Sequence, residues 1–195
     1  MENAFVTQTL YFEKGGPECT DTLLEHASRR AKELCIRKVL MASNTGRTAR
    51  AAMKYFDPKV FELIVVTQVA GFTEPNESRM SDEVWIELEG LGFKVVRAAH
   101  AFGGIGRGVR NKLKTFQVDE IMAFTLRMIS QGVKVGIEIS YMAADRGFVR
   151  ADEDVMTIAG TGGGADTAMV VRPANSHRAL DLRVKEIVAK PWSPV

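Results

Sequence analysis

Cysteine is nearly absent from this chain: Cys19 and Cys35 stand alone in 195 residues, with no CxxC pair and no His/Cys cluster nearby. That excludes a zinc site of the usual spacing and fits a reducing cytoplasm. Long apolar runs are missing too, and none approaches the ~18 residues of a membrane span. The N-terminal stretch MENAFVTQTLYFEK has an acid at position 2 and polar residues inside its apolar part, so no signal peptide is expected. Charge of one sign is scarce. A formal net charge of +2 gives no global electrostatic case for nucleic acid or an anionic membrane. Repeats, low-complexity tracts and Pro/Gly/Ser linkers do not occur. The common catalytic signatures are also missing: there is no GxSxG elbow, no HExxH, and no carboxylate pair placeable on one face. Glu138, Asp145 and Cys19 have usable chemistry, but the sequence gives none of them an evident partner. Whether the protein is an enzyme stays open at this level.

What is present is the material of a globular core. Hydrophobic residues make up 46% of a chain long enough to bury one, so a single domain over residues 1–195 is expected. Thr20 to Cys35 places Leu23, Leu24, Ala27, Ala31 and Leu34 at helical spacing, with Thr20 or Asp21 as N-cap. Lys38 to Ala42 reads as a buried strand, and Gly46 to Phe56 as the helix after it, ended by Pro58. Phe61 to Thr67 (FELIVVT) is a continuous apolar strand of parallel-sheet character. The loop from Gln68 to Ser81 follows, then a helix from Asp82 to Leu91 stopped by Gly92, and a strand from Lys94 to Ala99. Strand and helix alternating at this pace predict a doubly wound α/β sheet.

The second half reads differently. A glycine-rich basic run (GGIGRGVRNKLK) leads to a helix predicted from Val118 to Gln131. In VKVGIEISYMAADRG, Val133, Val135, Ile137 and Ile139 alternate like a strand, while Ile137, Tyr141, Ala144 and Phe148 share a helical face; helix is the preferred reading. Asp154 to Gly160 and Thr167 to Arg172 read as strands about a tight glycine turn, and Leu182 to Ala189 as the last strand. Phe148 and Trp192 look exposed and permit a homo-oligomer.

Three loops are candidates for a ligand. In Ser43 to Thr48 (SNTGRT), the free amides of a helix start, the small Gly46, the fork of Arg47 and three hydroxyls would suit an anion. Equally, Ser43, Asn44 or Thr45 caps the helix and Arg47 is solvated. No Lys follows the glycine, so this is not a Walker A loop. In Gly160 to Asp166 (GTGGGAD), consecutive glycines point either to ligand contact or to a hairpin turn that needs positive φ. A strand follows it rather than a helix, so it is not a dinucleotide fingerprint. In Ala99 to Arg110, His100 lies just past a strand's carboxyl end, where open α/β sheets hold ligands, although a lone His is as readily structural. Arg107, Arg110, Lys112 and Lys114 are either an anion-reading patch or a solvated face.

Taken together, two of these loops resemble a known family. SNTGRTARAAMKYF after an apolar strand is similar to the T-x-x-G-R-[ST]-A turn and helix of the pyruvate kinase C-terminal domain. DEDVMTIAGTGGGADTAMVVRPA resembles that domain's closing hairpin. The sequence has no trace of the catalytic barrel, so it looks like the stand-alone pyruvate kinase C-terminal α/β-domain-like proteins of archaea and bacteria. FEKGGPECTDTLLEHASRRAKELCI and GVKVGIEISYMAADRGFV support this over nearly the whole chain. The resemblance implies a three-layer α/β/α sandwich with a mostly parallel mixed sheet. It also implies a pocket for a phosphorylated ligand: a sugar effector in the kinases, flavin mononucleotide (FMN) in the stand-alone relatives. Carried over, Ser43, Asn44, Thr45, Gly46, Arg47 and Thr48 would hold the phosphate, and Thr161, Gly162, Gly163 and Gly164 would close over it. By position beyond the strand ends, Gln68, Gly71, Phe72, His100, Phe102 and Gly103 would meet the ribityl chain and ring. GTGGGAD lacks the aromatic and proline usual in this turn of pyruvate kinases, which argues against the sugar effector more than against the phosphate site. The expectation is therefore FMN binding with a possible flavin-dependent oxidoreductase activity, or a non-catalytic module sensing a phosphorylated metabolite. Neither involves nucleic acid, membrane or metal.

Overall fold

Strand residues that are apolar at every position need a neighbour on both faces, and the middle of this chain supplies several such strands. The structure, a computed structural model, describes residues 4–193; the acid at position 2 lies outside them. β2 (Lys38–Ala42), β3 (Glu62–Thr67) and β4 (Lys94–Arg97) pair in parallel, with Val39 opposite Leu63 and Val65 opposite Val95. β5 (Val155–Ala159) adds to the other side of β2, also parallel, and β6 (Thr167–Arg172) folds back antiparallel on β5. β7 (Arg183–Pro191) and β1 (Leu10–Phe12) complete a seven-stranded sheet in the order β1-β7-β6-β5-β2-β3-β4, and β6 alone runs against the rest.

Alternate residues of each strand feed two cores, as the period of two requires. Val39, Met41, Leu63, Val65, Val95, Met156, Ile158 and Val170 pack beneath α1 (Thr20–Glu33), α2 (Arg47–Ala52) and α3 (Asp82–Gly90). Leu40, Ile64, Val66, Val96, Val155, Met169 and Val171 pack beneath α5 (Val118–Arg127) and α6 (Gln131–Asp145). The result is the expected three-layer sandwich around a mostly parallel mixed sheet.

Several local readings change. α1 is capped by neither Thr20 nor Asp21: a 3-10 turn over Pro17–Cys19 runs straight into it, and Thr20 Oγ1 instead accepts the amide of Ala165 at 3.1 Å. α2 is short, winding down after Ala52 through i→i−3 bonds of Met53, Lys54 and Tyr55 before Pro58 is reached. The basic run is not a loop but α4 (Ile105–Leu113), which buries none of its residues and leans on α5. α5 does not continue to Gln131; Ser130 intervenes and accepts the amide of Val133 at 3.0 Å, starting α6. The ambiguous segment is helical, because α6 must lie across β2, β5 and β6, and its valines and isoleucines pack there. A 3-10 segment at Ser176–Asp181 precedes β7.

Phe148 is half-buried, with Lys94 and Arg146 over its ring, whereas Trp192 is 68% exposed and sits edge-on against Tyr11. Further open apolar side chains lie on α4 and α5, among them Ile105, Leu113, Val118, Ile121 and Phe124. Among the described residues no helix is long and apolar enough to cross a membrane.

Candidate functional site

β2 and β5 are neighbours, yet the chain leaves β2 towards β3 on one side and reaches β5 on the other. The connections from their carboxyl ends therefore run to opposite sides, and this is where an open α/β sheet leaves a crevice. SNTGRT follows β2 and the glycine turn follows β5, so topology sets the two candidate loops side by side. A cleft of about 630 Å³ opens there, lined by both loops, by Gln68, Phe72, Arg79, His100 and Arg107, and by the face of α6.

The helix start is built without a side-chain cap. Gly46 adopts φ 76° at the N-cap of α2, and no side chain accepts the leading amides. Ser43, Asn44 and Thr45 therefore do not cap the helix, and the leading amides of α2 have no side-chain acceptor. Asn44 is committed elsewhere: its Oδ1 accepts the Gln68 amide at 3.0 Å and the Thr67 hydroxyl at 3.3 Å, pinning the end of β3 to the loop after β2. Arg47 is not simply solvated; its Nη2 donates to the Gly163 carbonyl and latches one loop to the other.

In the glycine turn the residues divide by role. Gly162 and Gly163 have φ of 62° and 86° and line the cleft. Gly164 is needed for space: a Cβ there would stand 2.2 Å from the Cα of Pro17. Thr161 is turned to structure, its amide donating to Asp166 Oδ2 at 3.0 Å, and it does not line the cleft. Asp166 is fully buried, and burial raises its carboxyl above the usual range despite the bonds from Thr167 and Thr161.

The third loop and α6 contribute a charged cluster that the sequence did not disclose. His100 Nδ1 lies 3.7 Å from Glu138 Oε2, Lys134 Nζ donates to the same oxygen, and the Phe102 amide donates to Oε1 at 3.0 Å. Burial alone would raise the Glu138 carboxyl, but the His100 bond and the Lys134 charge outweigh it and hold the group at about 2. Burial pushes the Lys134 ammonium down, with Glu138 opposing. The Val69 amide donates to His100 Nε2 at 3.4 Å, which puts the ring proton on Nδ1, facing Glu138. Phe72 stacks on His100 with centroids 5.0 Å apart, and the Arg107 guanidinium covers Phe72 at 5.1 Å. Gln68 Oε1 and Arg107 Nε are buried with no hydrogen-bond partner.

Of the sequence candidates, Ser43, Asn44, Thr45, Arg47, Thr48, Gln68, Phe72, His100, Gly162, Gly163 and Gly164 line the cleft, and Gly46, Gly71, Phe102, Gly103 and Thr161 do not. Phe102 is a core residue edge-on to Tyr141, and a Cβ on Gly103 would stand 2.8 Å from Arg107 Nη2. Arg79, Arg127, Gln131, Lys134, Val135, Ile139 and Met142 line it without having been singled out. One signal was available: on a helix, Lys134, Glu138 and Met142 recur every four residues and share a face. Among the described residues no group of His, Cys, Asp and Glu is placed to hold a metal ion.

A pyruvate kinase from Cryptosporidium parvum superposes with a TM-score of 0.43 at 15% identity, covering 80% of this chain and 23% of that one. A second structure of the pyruvate kinase from that organism gives 0.37 at 13% identity, with 72% and 20% covered. A complex of that organism's enzyme with ADP gives 0.43 at 15%, with 80% and 24% covered. The chain thus spans about a quarter or less of these proteins. A profile of the pyruvate kinase, alpha/beta domain family matches residues 21–171, from the first turn of α1 to the penultimate residue of β6 and through both loops of the cleft. The chain belongs to the pyruvate kinase α/β domain family.

Proposed function

We propose that the cleft binds a phosphorylated small molecule, FMN being the ligand whose parts match its lining, and that the protein is a flavin-dependent oxidoreductase. The observation that carries this reading is charge: Arg47, Arg79, Arg107, Arg127 and Lys134 line the cleft, against the single carboxylate of Glu138, itself paired with Lys134. A phosphate would sit against Thr45 to Thr48, with Gly162 to Gly164 beside it, where backbone amides and Arg47 offer donors. Phe72 and His100, stacked on each other with Arg107 over Phe72, line the same cleft and would meet the ring. The volume is within the ~300–1,000 Å³ of small-molecule sites. FMN, when bound, supplies hydride and electron transfer. The chain's own residues bind the phosphate, orient the ring and hold a proton at His100 Nδ1 against Glu138.

A second reading, a non-catalytic module sensing a phosphorylated metabolite, has its own support. Glu138 accepts from Lys134 and the Phe102 amide, with His100 3.7 Å away, so the carboxylate of the cleft is committed to its neighbours rather than free for acid–base work. Absorbance in the flavin bands of the purified protein, or uptake of added FMN, supports the first reading; colourless protein that takes up none overturns it. Arg47→Ala is expected to weaken FMN, or any phosphorylated ligand, by about 1.5–3 kcal/mol in an equilibrium titration. Unchanged affinity would place the phosphate elsewhere.

A further inference from the structure

We propose that the outward face of α5, with the end of α4 beside it, is the interface between two copies of this chain related by a two-fold axis. This stands whether or not FMN fills the cleft. α5 is apolar on both sides. Ala123 is buried, and Met122 and Leu126 pack against the core beneath the helix. On the opposite side Val118, Ile121, Phe124 and Met128 recur every three or four residues and face solvent, Val118 at 75% and Met128 at 78% exposure. A helix that is apolar all round belongs in an interior. Leu113 and Phe116 extend the face towards α4: the Phe116 ring meets Phe124 edge-on with centroids 5.6 Å apart, and α4 packs on α5.

Size and charge say what covers this face. At ~150–200 Å² for each side chain when fully exposed, the six exposures add to roughly 700 Å² of open apolar surface. The largest apolar patch of a typical monomer is about 300–600 Å². One side of a standard dimer interface is about 800 Å², of which about two thirds is apolar in homodimers, so this face alone is large enough. The charges of α5 are turned elsewhere. Asp119 lies against Gly106, Glu120 is buried and pairs with Arg110 at 3.2 Å, and Arg127 donates to Gln131 at 2.7 Å and lines the cleft. The exposed cations of this region, Lys112 and Lys114, stand at the end of α4, outside the stripe. An anionic bilayer needs cations along the apolar stripe to meet its headgroups, and α5 offers none there. For a second copy the missing charge is favourable, because a two-fold axis would otherwise set like charges against each other. Because α4 and α5 carry Arg107 and Arg127 to the cleft, association would also brace that wall of it.

The test is association in solution. Sedimentation of the parent protein at micromolar concentration is expected to give a particle of twice the 21.5 kDa chain mass. Ile121→Glu with Met128→Glu, and separately Ile121→Lys with Met128→Lys, should each weaken association about tenfold or more, since like charges then face each other across the axis. Both positions are exposed, so each variant should keep the parent's circular dichroism and Tm, which checks that it is folded. An equimolar mixture of the acidic and basic variants should associate more tightly than either alone, as packing of this face on its own copy requires. A dimer that both variants leave intact, or a mixture no tighter than its components, overturns the proposal. So does a monomeric parent, and one that sediments with anionic phospholipid vesicles would assign the face to lipid instead.

Discussion

Glu138 shows how one residue joins the fold to the cleft. Its side chain is about 5% exposed, yet it accepts from Lys134 and the Phe102 amide, with His100 Nδ1 3.7 Å away, and together these favour its charged form. The partners pull apart, since the carboxyl is held at about 2 while burial lowers the Lys134 ammonium. The carboxylate stays charged because two donors and the nearby His100 converge on it from separate positions. A carboxyl folded at about 2 against an ordinary 4.5 contributes stability that is complete above pH 4.5 and is lost as pH falls towards 2. Glu138→Gln is therefore expected to lower unfolding free energy by about 3 kcal/mol at pH 7 in urea titrations, with the gap to the parent narrowing below pH 4. The spacing of Lys134 and Glu138 on a helix was legible in the sequence, but the approach of His100 was not. His100 and Glu138 lie 38 residues apart on different elements, and only the crossing of α6 over the sheet brings them together.

At the scale of elements, legibility followed how many faces each one buries. β2 and β3 were readable because both faces are covered and every inner position must be apolar. α6 was readable as helix for the same reason, despite its β-branched run. α4 was missed because its apolar period, Ile105, Val109 and Leu113, is only two turns long and lies among glycines and basic residues that read as loop, and none of its residues is buried. β1 is three residues long and exists by pairing with β7 at the far end of the chain. The glycine turn could not be resolved between turn and ligand readings, since its members differ in what surrounds them. Gly162→Ala should cost only the left-handed backbone, about 1–2 kcal/mol, because nothing lies within 4 Å of the added carbon. Gly164→Ala must push the turn away from Pro17 and should cost about 3 kcal/mol. With ~2–4 °C of Tm per kcal/mol for a chain of this size, thermal melts separate the two. Equal Tm shifts would contradict the packing role of Gly164.

For the molecule as a whole, class and layering followed from the alternation of strand and helix, but the strand order did not. Nothing in β5 itself says that it lies beside β2 rather than at an edge; the resemblance carried by its glycine hairpin supplied that expectation. The order also predicts where the fold is most persistent. Amides of β5, β2 and β3, sheltered on both faces, should exchange hydrogen only through global unfolding, whereas those of α4 exchange by local opening. Native-state exchange giving α4 the protection of β2 would contradict this. The latch from Arg47 to the Gly163 carbonyl has a last consequence. It spans two stretches of chain separated by more than a hundred residues, and any molecule resting on both of them ties early sequence to late. Such a molecule would find its full set of contacts only after the long-range closure is complete. Its occupancy would then report on assembly of the entire sheet, and at a hundredfold excess over its dissociation constant it would raise global stability by about 2.7 kcal/mol.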